Sequence, residues 1–285
     1  MDYYFNIAQI GIRINGFRAM KIIESNLIPF ITSLEIYESL QEKVTILVKE
    51  VSGFEIEEMV HADTKNNRNY ASFGHNKYAV FFSANDWKQD KITIYLNQDC
   101  YKEASWNINQ FFSVIGLHSL FLHRNGMILH ASYIAHNNGA ILFTAPSQTG
   151  KSTQANLWKQ HVGAEIMNED RVLICKKDMT WYACGLPMCG SSDTCVNAGY
   201  PLKAVIELKQ GKENEIVQLA QLDKYKALLL GTQYHLKDRN EEALVCQLIS
   251  NLIETMEIVR YSCCPEMSAV ETLKKYLEKE EKNEC

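Results

Sequence analysis

The sequence predicts a mixed α+β chain of the α/β class, with a smaller strand-rich domain over residues 1–104 and a larger domain with a mixed sheet over residues 105–285. Three observations predict it. Short apolar runs separated by polar turns fill the first part, the signature of strands rather than helices. Near residue 105 the apolar period changes from two to helical spacing. Beyond that point an apolar strand, a Gly-containing loop and a helical stretch follow one another within residues 140–161, a unit from which α/β sheets are built.

In the first part, residues 4–14 read as one strand with partial alternation, and residues 43–51 (KVTILVKEV) alternate more cleanly. Residues 78–83 and 91–96 follow as two more strands, so a small mixed or mainly antiparallel sheet is expected. Residues 64–69 read as a polar, solvated loop. No catalytic motif occurs before residue 105. Residues 105–124 place Ile108, Phe111, Phe112, Ile115 and Phe121 at helical spacing and stop at Asn125-Gly126, which predicts a bridging helix. His118 and His123 on it are five residues apart, so they do not share a face as an i, i+4 pair would.

Residues 127–144 read as a hairpin turned at Asn137-Asn138-Gly139, residue types that accept positive φ. Antiparallel pairing puts the start of its first strand, with His130, opposite the end of its second. His136 lies at the far turn and is expected to be inert. A helix over residues 152–161 and a strand over 163–167 follow, delivering Glu169 and Asp170 at the strand end. Side chains alternate along an extended backbone, so one acid is expected to face inward, and Asp170 is the choice. A strand at 171–175 comes next, then a strand entering a Gly-Pro loop over residues 181–192 that could border an acceptor pocket. Residues 203–209 and 215–220 read as a strand pair around Gln210-Gly211. Helices at 223–230 and 240–254, a strand at 257–261 and a last helix at 266–279 complete the chain. Arg260, on that last strand, is read either as a phosphate contact or as one partner of a surface ion pair.

Composition narrows the function classes. The 285 residues are 46% hydrophobic and 22% charged, ordinary for a folded globular protein with a sizeable core. The net charge of -5 and the lack of a basic run with interleaved aromatics argue against nucleic acid. No apolar run is long enough to span a bilayer, and the first residues lack a basic n-region, so no membrane partner and a cytoplasmic location are expected. Nine irregularly spaced cysteines suit reduced thiols, and Cys184, Cys189, Cys195 and adjacent Cys263-Cys264 do not have zinc-ligand spacing.

The chemistry is concentrated in Ser147-Gln148-Thr149-Gly150-Lys151-Ser152-Thr153, between the strand ending at Thr144 and the helix beginning near Lys151. Successive backbone N–H groups in a tight turn, backed by a helix N-terminus, form a concavity for a polyphosphate. The phosphate-loop pattern has Gly, four residues, then Gly-Lys-Ser/Thr. Ala145 stands where the first Gly belongs, which the backbone accepts if Ala145 has negative φ. Lys151 would reach the β- and γ-phosphates, Ser152 would coordinate Mg²⁺, and Thr153 is a second hydroxyl.

With its flanks, this segment resembles the catalytic core of HPr kinase/phosphorylase and its shorter stand-alone homologues, whose nucleotide fold is related to that of PEP carboxykinase. Three matches carry the resemblance: Leu129-His130 one hairpin upstream, the Ser-x-x-Gly-Lys-Ser loop, and Asn168-Glu169-Asp170-Arg171 after the helix. It is good over residues 126–183 and looser beyond. Glu169 stands where the longer enzymes have Asp, and no counterpart appears of the Gly-rich signature that contacts the protein substrate, so HPr is not the expected target. The chain looks more like stand-alone homologues, some of which lie beside genes for ribosomally made, modified peptides and phosphorylate a Ser there.

The resemblance implies a PEP carboxykinase/HPr kinase-like P-loop domain acting as an ATP-dependent, Mg²⁺-requiring serine kinase. Its acceptor would be a Ser/Thr-type hydroxyl of a peptide or small molecule. Residues 147–153 would hold the nucleotide, Ser152 and Asp170 the metal, and Asp170 would accept the hydroxyl proton. His130 would orient that acid or stabilise developing charge, and Glu169 would take a secondary role. A homo-oligomer is compatible with the sequence. The alternative is a catalytically silent nucleotide-binding, sensing or partner-binding module, favoured by Ala145 and Glu169.

Overall fold

The computed structural model describes residues 2–16, 26–55, 58, 70–73, 78–82, 90–97, 116–190, 194–234 and 239–283. The chain divides into two compact units, Met1–Arg124 and Asn125–Cys285, and its described residues form a mixed α+β structure with two sheets.

The first unit carries strands β1 (Asp2–Ile7), β2 (Ile10–Asn15), β3 (Glu42–Val51), β4 (Tyr70–Phe73), β5 (Tyr78–Phe82) and β6 (Lys91–Asn97), with a short helix α1 (Leu34–Ser39). They form one sheet in the order β1-β2-β3-β6-β5-β4, parallel at β2–β3 and β3–β6 and antiparallel elsewhere. Its core is the inward side of these strands, including Phe5, Ile12, Ile14, Val44, Ile46, Ile92 and Ile94. The expected single strand over residues 4–14 is instead a hairpin: Ala8 and Gln9 both take positive φ (54° and 70°) and turn β1 onto β2. Neither residue advertises a turn, and the apolar run conceals the reversal. The loop at residues 64–69 lies outside the described residues, as does the expected helix at residues 105–115. What is described of that helix is α2 (Leu117–Leu122), which starts after Gly116 in the left-handed conformation.

The second unit is organised on β7 (Gly126–His136), whose eleven residues are nearly all buried. Asn137 and Asn138 (φ 48° and 57°) form a two-residue turn into β8 (Gly139–Thr144), with Ala131 opposite Thr144. After β8 come the loop, α3 (Lys151–Val162), β9 (Glu165–Asn168), β10 (Arg171–Lys177), β11 (Thr180–Gly185), β12 (Gly199–Gln210), β13 (Glu215–Gln218), α4 (Gln221–Gly231), α5 (Arg239–Thr255), β14 (Glu257–Cys263) and α6 (Met267–Asn283). The strand order is β11-β10-β7-β8-β12-β14-β13, and the beginning of β12 also pairs with β11, so the sheet curls back on itself.

Residues 203–209 and 215–220 do not pair with each other. The strand of β14 lies between them, parallel to β12 and antiparallel to β13. A connection long enough to hold two helices is what allows the parallel insertion. On one face of the sheet, α3 and α6 bury Trp158, Ala155, Val270 and Leu273 against Ile141, Phe143, Ile206 and Tyr261. Trp158 also meets His136 edge-on, at 5.5 Å between ring centroids. Helices α4 and α5 contribute a second set of buried apolar side chains, including Leu228, Val245, Ile249 and Leu252.

Candidate functional site

The loop after β8 is built by backbone conformation. Ala145 keeps negative φ, and the left-handed positions fall at Gln148 (φ 66°) and Gly150 (φ 117°). Gly150 sits well outside the region open to L side chains, so this glycine is demanded by the turn. Ser147 and Gln148 are exposed, Thr149 and Gly150 half-buried, and Ser152 and Thr153 are exposed on the first turn of α3. Lys151 is buried and folds back over the loop, its Nζ donating to Ala145 O (2.9 Å) and Pro146 O (3.3 Å). Burial pushes its ammonium below the usual lysine value, while the Asp170 carboxylate works in the opposite direction. From the end of the neighbouring strand β12, Gln210 Nε2 donates to Gln148 O at 3.3 Å.

The acidic segment is built by side chains. Strands β9 and β10 run along the same edge of β7, Asn168 facing Tyr133 and Arg171 facing His130, with a register shift in the β9 pairing beyond Tyr133. Glu169 and Asp170 are the two residues between, where strand pairing lapses. Asn168 explains the lapse. Its fully buried Oδ1 accepts from the N–H groups of Asp170 (2.9 Å) and Arg171 (3.0 Å), and its Nδ2 donates to the carbonyls of Leu186 (2.9 Å) and Met188 (3.1 Å). One amide therefore fixes the turn and ties it to the loop after β11. Ala131 N–H donates to Asp170 O, so Asp170 is held against β7 one strand away from β8 and the loop.

There Asp170 meets two cationic or basic partners. His130 Nδ1 lies 3.2 Å from Oδ1, and Arg171 Nε lies 3.3 Å from Oδ2. The hydrogen bond from His130 holds the Asp170 carboxyl below its ordinary value against the opposing effect of burial, with Arg171 and Lys151 adding to the depression. Asp170 is thus kept as a carboxylate within electrostatic reach of the loop lysine.

The structure brings together His130, Lys151 and Asp170. Glu169 is half-buried, and its backbone carbonyl accepts from Ser132 Oγ at 3.3 Å. Of the two readings of Arg260, the ion pair is the one found: Nε lies 2.8 Å from Glu207 Oε2 on the neighbouring strand. Gly190 of the Gly-Pro loop lies beside Asp170, since a Cβ there would stand 3.4 Å from Asp170 Cβ. Asn168 and Arg171 do not stand out as site residues from the sequence alone. The signal available was an Asn two residues before the aspartate, the spacing of a side chain that caps its own turn.

Magnesium takes oxygen ligands and keeps water and phosphate oxygens, so one hydroxyl and one carboxylate from the protein suffice. The exposed Ser152 hydroxyl and Asp170, which retains lone pairs beyond its contacts to His130 and Arg171, fit that donor set. Among the described residues no cluster of three His, Cys, Asp or Glu side chains gathers, as a protein-only metal cage would require.

Residues 97–260, more than half of the chain, match the family model described as SynChlorMet cassette protein ScmC. The chain belongs to the ScmC family. No curated protein matches it. Among solved structures, the chain is similar to the Hpr(Ser) kinase/phosphatase from Coxiella burnetii, at 14% identity over 44% of this chain and 88% of that one, with a TM-score of 0.23. No helix among the described residues is long and apolar enough to cross a membrane.

Proposed function

We propose that this ScmC-family protein is a kinase that moves the γ-phosphoryl group of ATP to a Ser/Thr-type hydroxyl on a peptide or small molecule. The observation that carries the reading is the Asp170 carboxylate, fixed by His130 and Arg171 within electrostatic reach of Lys151 at the mouth of a phosphate loop. The sequence resemblance to HPr kinase-like enzymes, carried by the same three segments, supports it.

In this reading the amides of residues 147–153 and the Lys151 ammonium bind the triphosphate, Lys151 exchanging its two loop carbonyls for phosphate oxygens. Magnesium held by Ser152 and Asp170 would neutralise phosphate charge. The acceptor oxygen bonds to the γ-phosphorus as the bond from that phosphorus to the β,γ-bridging oxygen breaks. ADP leaves, and the hydroxyl proton passes to Asp170. A carboxylate with a depressed pKa is a weak base, which suits a loose transition state in which the proton leaves late. Most of the acceleration then comes from alignment and charge stabilisation rather than from basicity. His130 and Arg171 keep the carboxylate aimed, and bare Gly190 leaves clearance beside it.

The rival reading, a nucleotide-binding module without transfer, draws on the resting hydrogen bonds of Lys151 to its own loop. A thermal shift with ATP and Mg²⁺, followed by measurement of ADP release with Ser-containing peptides, separates the two. Stabilisation with turnover is expected, and stabilisation with no turnover on any hydroxyl acceptor would favour the module.

A further inference from the structure

Beside the phosphate loop lies a cleft of about 420 Å³ lined by Gln148, Gly150, Gln154, Gln210, Cys263 and Pro265, among others. It opens where the loop, the first turn of α3 and the ends of β12 and β14 meet. Gly211 sits in its wall without a side chain, its N–H bonded to Cys263 O at 3.1 Å. A volume of this size suits a small ligand group such as a nucleobase with its sugar.

One side chain in the lining is unexplained by the fold. Gln154 is 3% exposed, and its Nε2 donates to Cys263 Sγ at 3.1 Å, while its Oε1 is buried with no hydrogen-bond partner. Leaving a buried amide oxygen unsatisfied is costly, and such an atom in a native structure calls for a partner. An apolar residue would fill the same space without the cost. Nε2 has a second hydrogen besides the one bonded to Cys263, so the amide holds both an acceptor and a donor that the fold does not use.

We infer that the cleft takes the base of the nucleotide and that Gln154 is its specificity-determining residue, selecting adenine over guanine. Oε1 accepts from the exocyclic amino group and Nε2 donates to a ring nitrogen. That pair is the one by which a glutamine amide recognises adenine, whereas guanine offers a carbonyl oxygen where adenine offers its amino group. The cleft adjoins residues 148–150, so a ligand whose phosphates occupy the loop has its base beside Gln154. The inference rests on the loop being an ATP site, as proposed above, and adds where the base sits and which residue reads it.

Equilibrium binding to the full chain with Mg²⁺ and four ligands, ATP, GTP, CTP and inorganic tripolyphosphate, tests it. The wild-type protein is expected to bind ATP at least tenfold more tightly than GTP or tripolyphosphate. Gln154→Met, which keeps the volume and removes the amide, is expected to bring the ATP-to-GTP ratio within about threefold, with thermal melting confirming the fold. Tripolyphosphate binding as tightly as ATP in the wild type would overturn the base cleft while leaving the phosphate loop intact. No binding of any of the four would overturn both readings. An unchanged ATP-to-GTP ratio in Gln154→Met would remove Gln154 as the reader, a conclusion that the wild-type series reaches alone if GTP equals ATP.

Discussion

The two halves of the candidate site are made in opposite ways. The loop at residues 147–150 is largely exposed and shaped by backbone conformation. Its tethers are one long hydrogen bond from Gln210 and a lysine that bonds to two of the loop's own carbonyls. The turn at residues 168–171 is shaped by a buried amide that satisfies four backbone groups at once, and its carboxylate is gripped from both sides. In the proposed kinase, the region that reshapes around a polyphosphate is held loosely, and the one that presents a carboxylate at a fixed angle is over-determined. Substitutions should therefore separate binding from geometry.

The largest effect is expected at Lys151. Replacing it with Ala removes the only charged group the loop contributes, and nucleotide affinity or turnover should fall by about 10³-fold. Isothermal titration with Mg-ATP checks this. Stability should change little, because the wild-type ammonium is buried at a cost that the variant escapes. Asn168→Ala should do the reverse. It leaves two N–H groups and two carbonyls without their partner and is expected to cost about 3 kcal/mol in denaturant unfolding. Transfer should fall alongside, because the turn no longer aims Asp170.

Asp170→Asn lies between these two. Binding of ATP without Mg²⁺ should stay within a few-fold, while Mg²⁺-dependent transfer falls by about 10²-fold. If transfer proceeds normally, the proton-acceptor role is wrong. The pH dependence of stability offers a second check on the same group. Its carboxyl is held below the ordinary value of 3.8 in the folded state, so its ion contacts stabilise the protein above that value. Their contribution is lost as the pH falls through 3.8 toward the folded-state value. Asp170→Asn should flatten that part of the acid-unfolding curve and leave the neutral region alone.

Much of this contrast was legible in the sequence because it is local. The Asn137-Asn138 turn, the Gly150-Lys151 start of α3 and the strand leading to Glu169-Asp170 all announce themselves within a few residues. From them followed the placement of His130 near the loop. Features set by distant partners were not legible. The insertion of β14 between β12 and β13 depends on pairings fifty residues apart in sequence, and nothing in residues 203–220 reports it. The Ala8-Gln9 reversal lacks turn-forming residue types. The role of Asn168 depends on carbonyls of Leu186 and Met188 brought in by β11, and the orphaned oxygen of Gln154 exists only once Cys263 is packed against it.

The smallest expected effect sharpens the comparison at its weak end. Gln148 holds a left-handed backbone that an L residue adopts at a cost, and glycine there should raise stability by about 0.5–1 kcal/mol in denaturant unfolding. No equivalent gain is expected anywhere in residues 168–171, where none of the described φ angles is positive.

The most direct test is a crystal structure with a non-hydrolysable ATP analogue and Mg²⁺. Lys151 Nζ is expected to have left the carbonyls of Ala145 and Pro146 for phosphate oxygens, with the terminal phosphorus on the side of the loop that faces Asp170 and the Asn168 turn unmoved. A nucleotide seated away from residues 147–153, or a terminal phosphate turned from Asp170 with Lys151 still bonded to its own loop, would contradict a shared phosphoryl-transfer site.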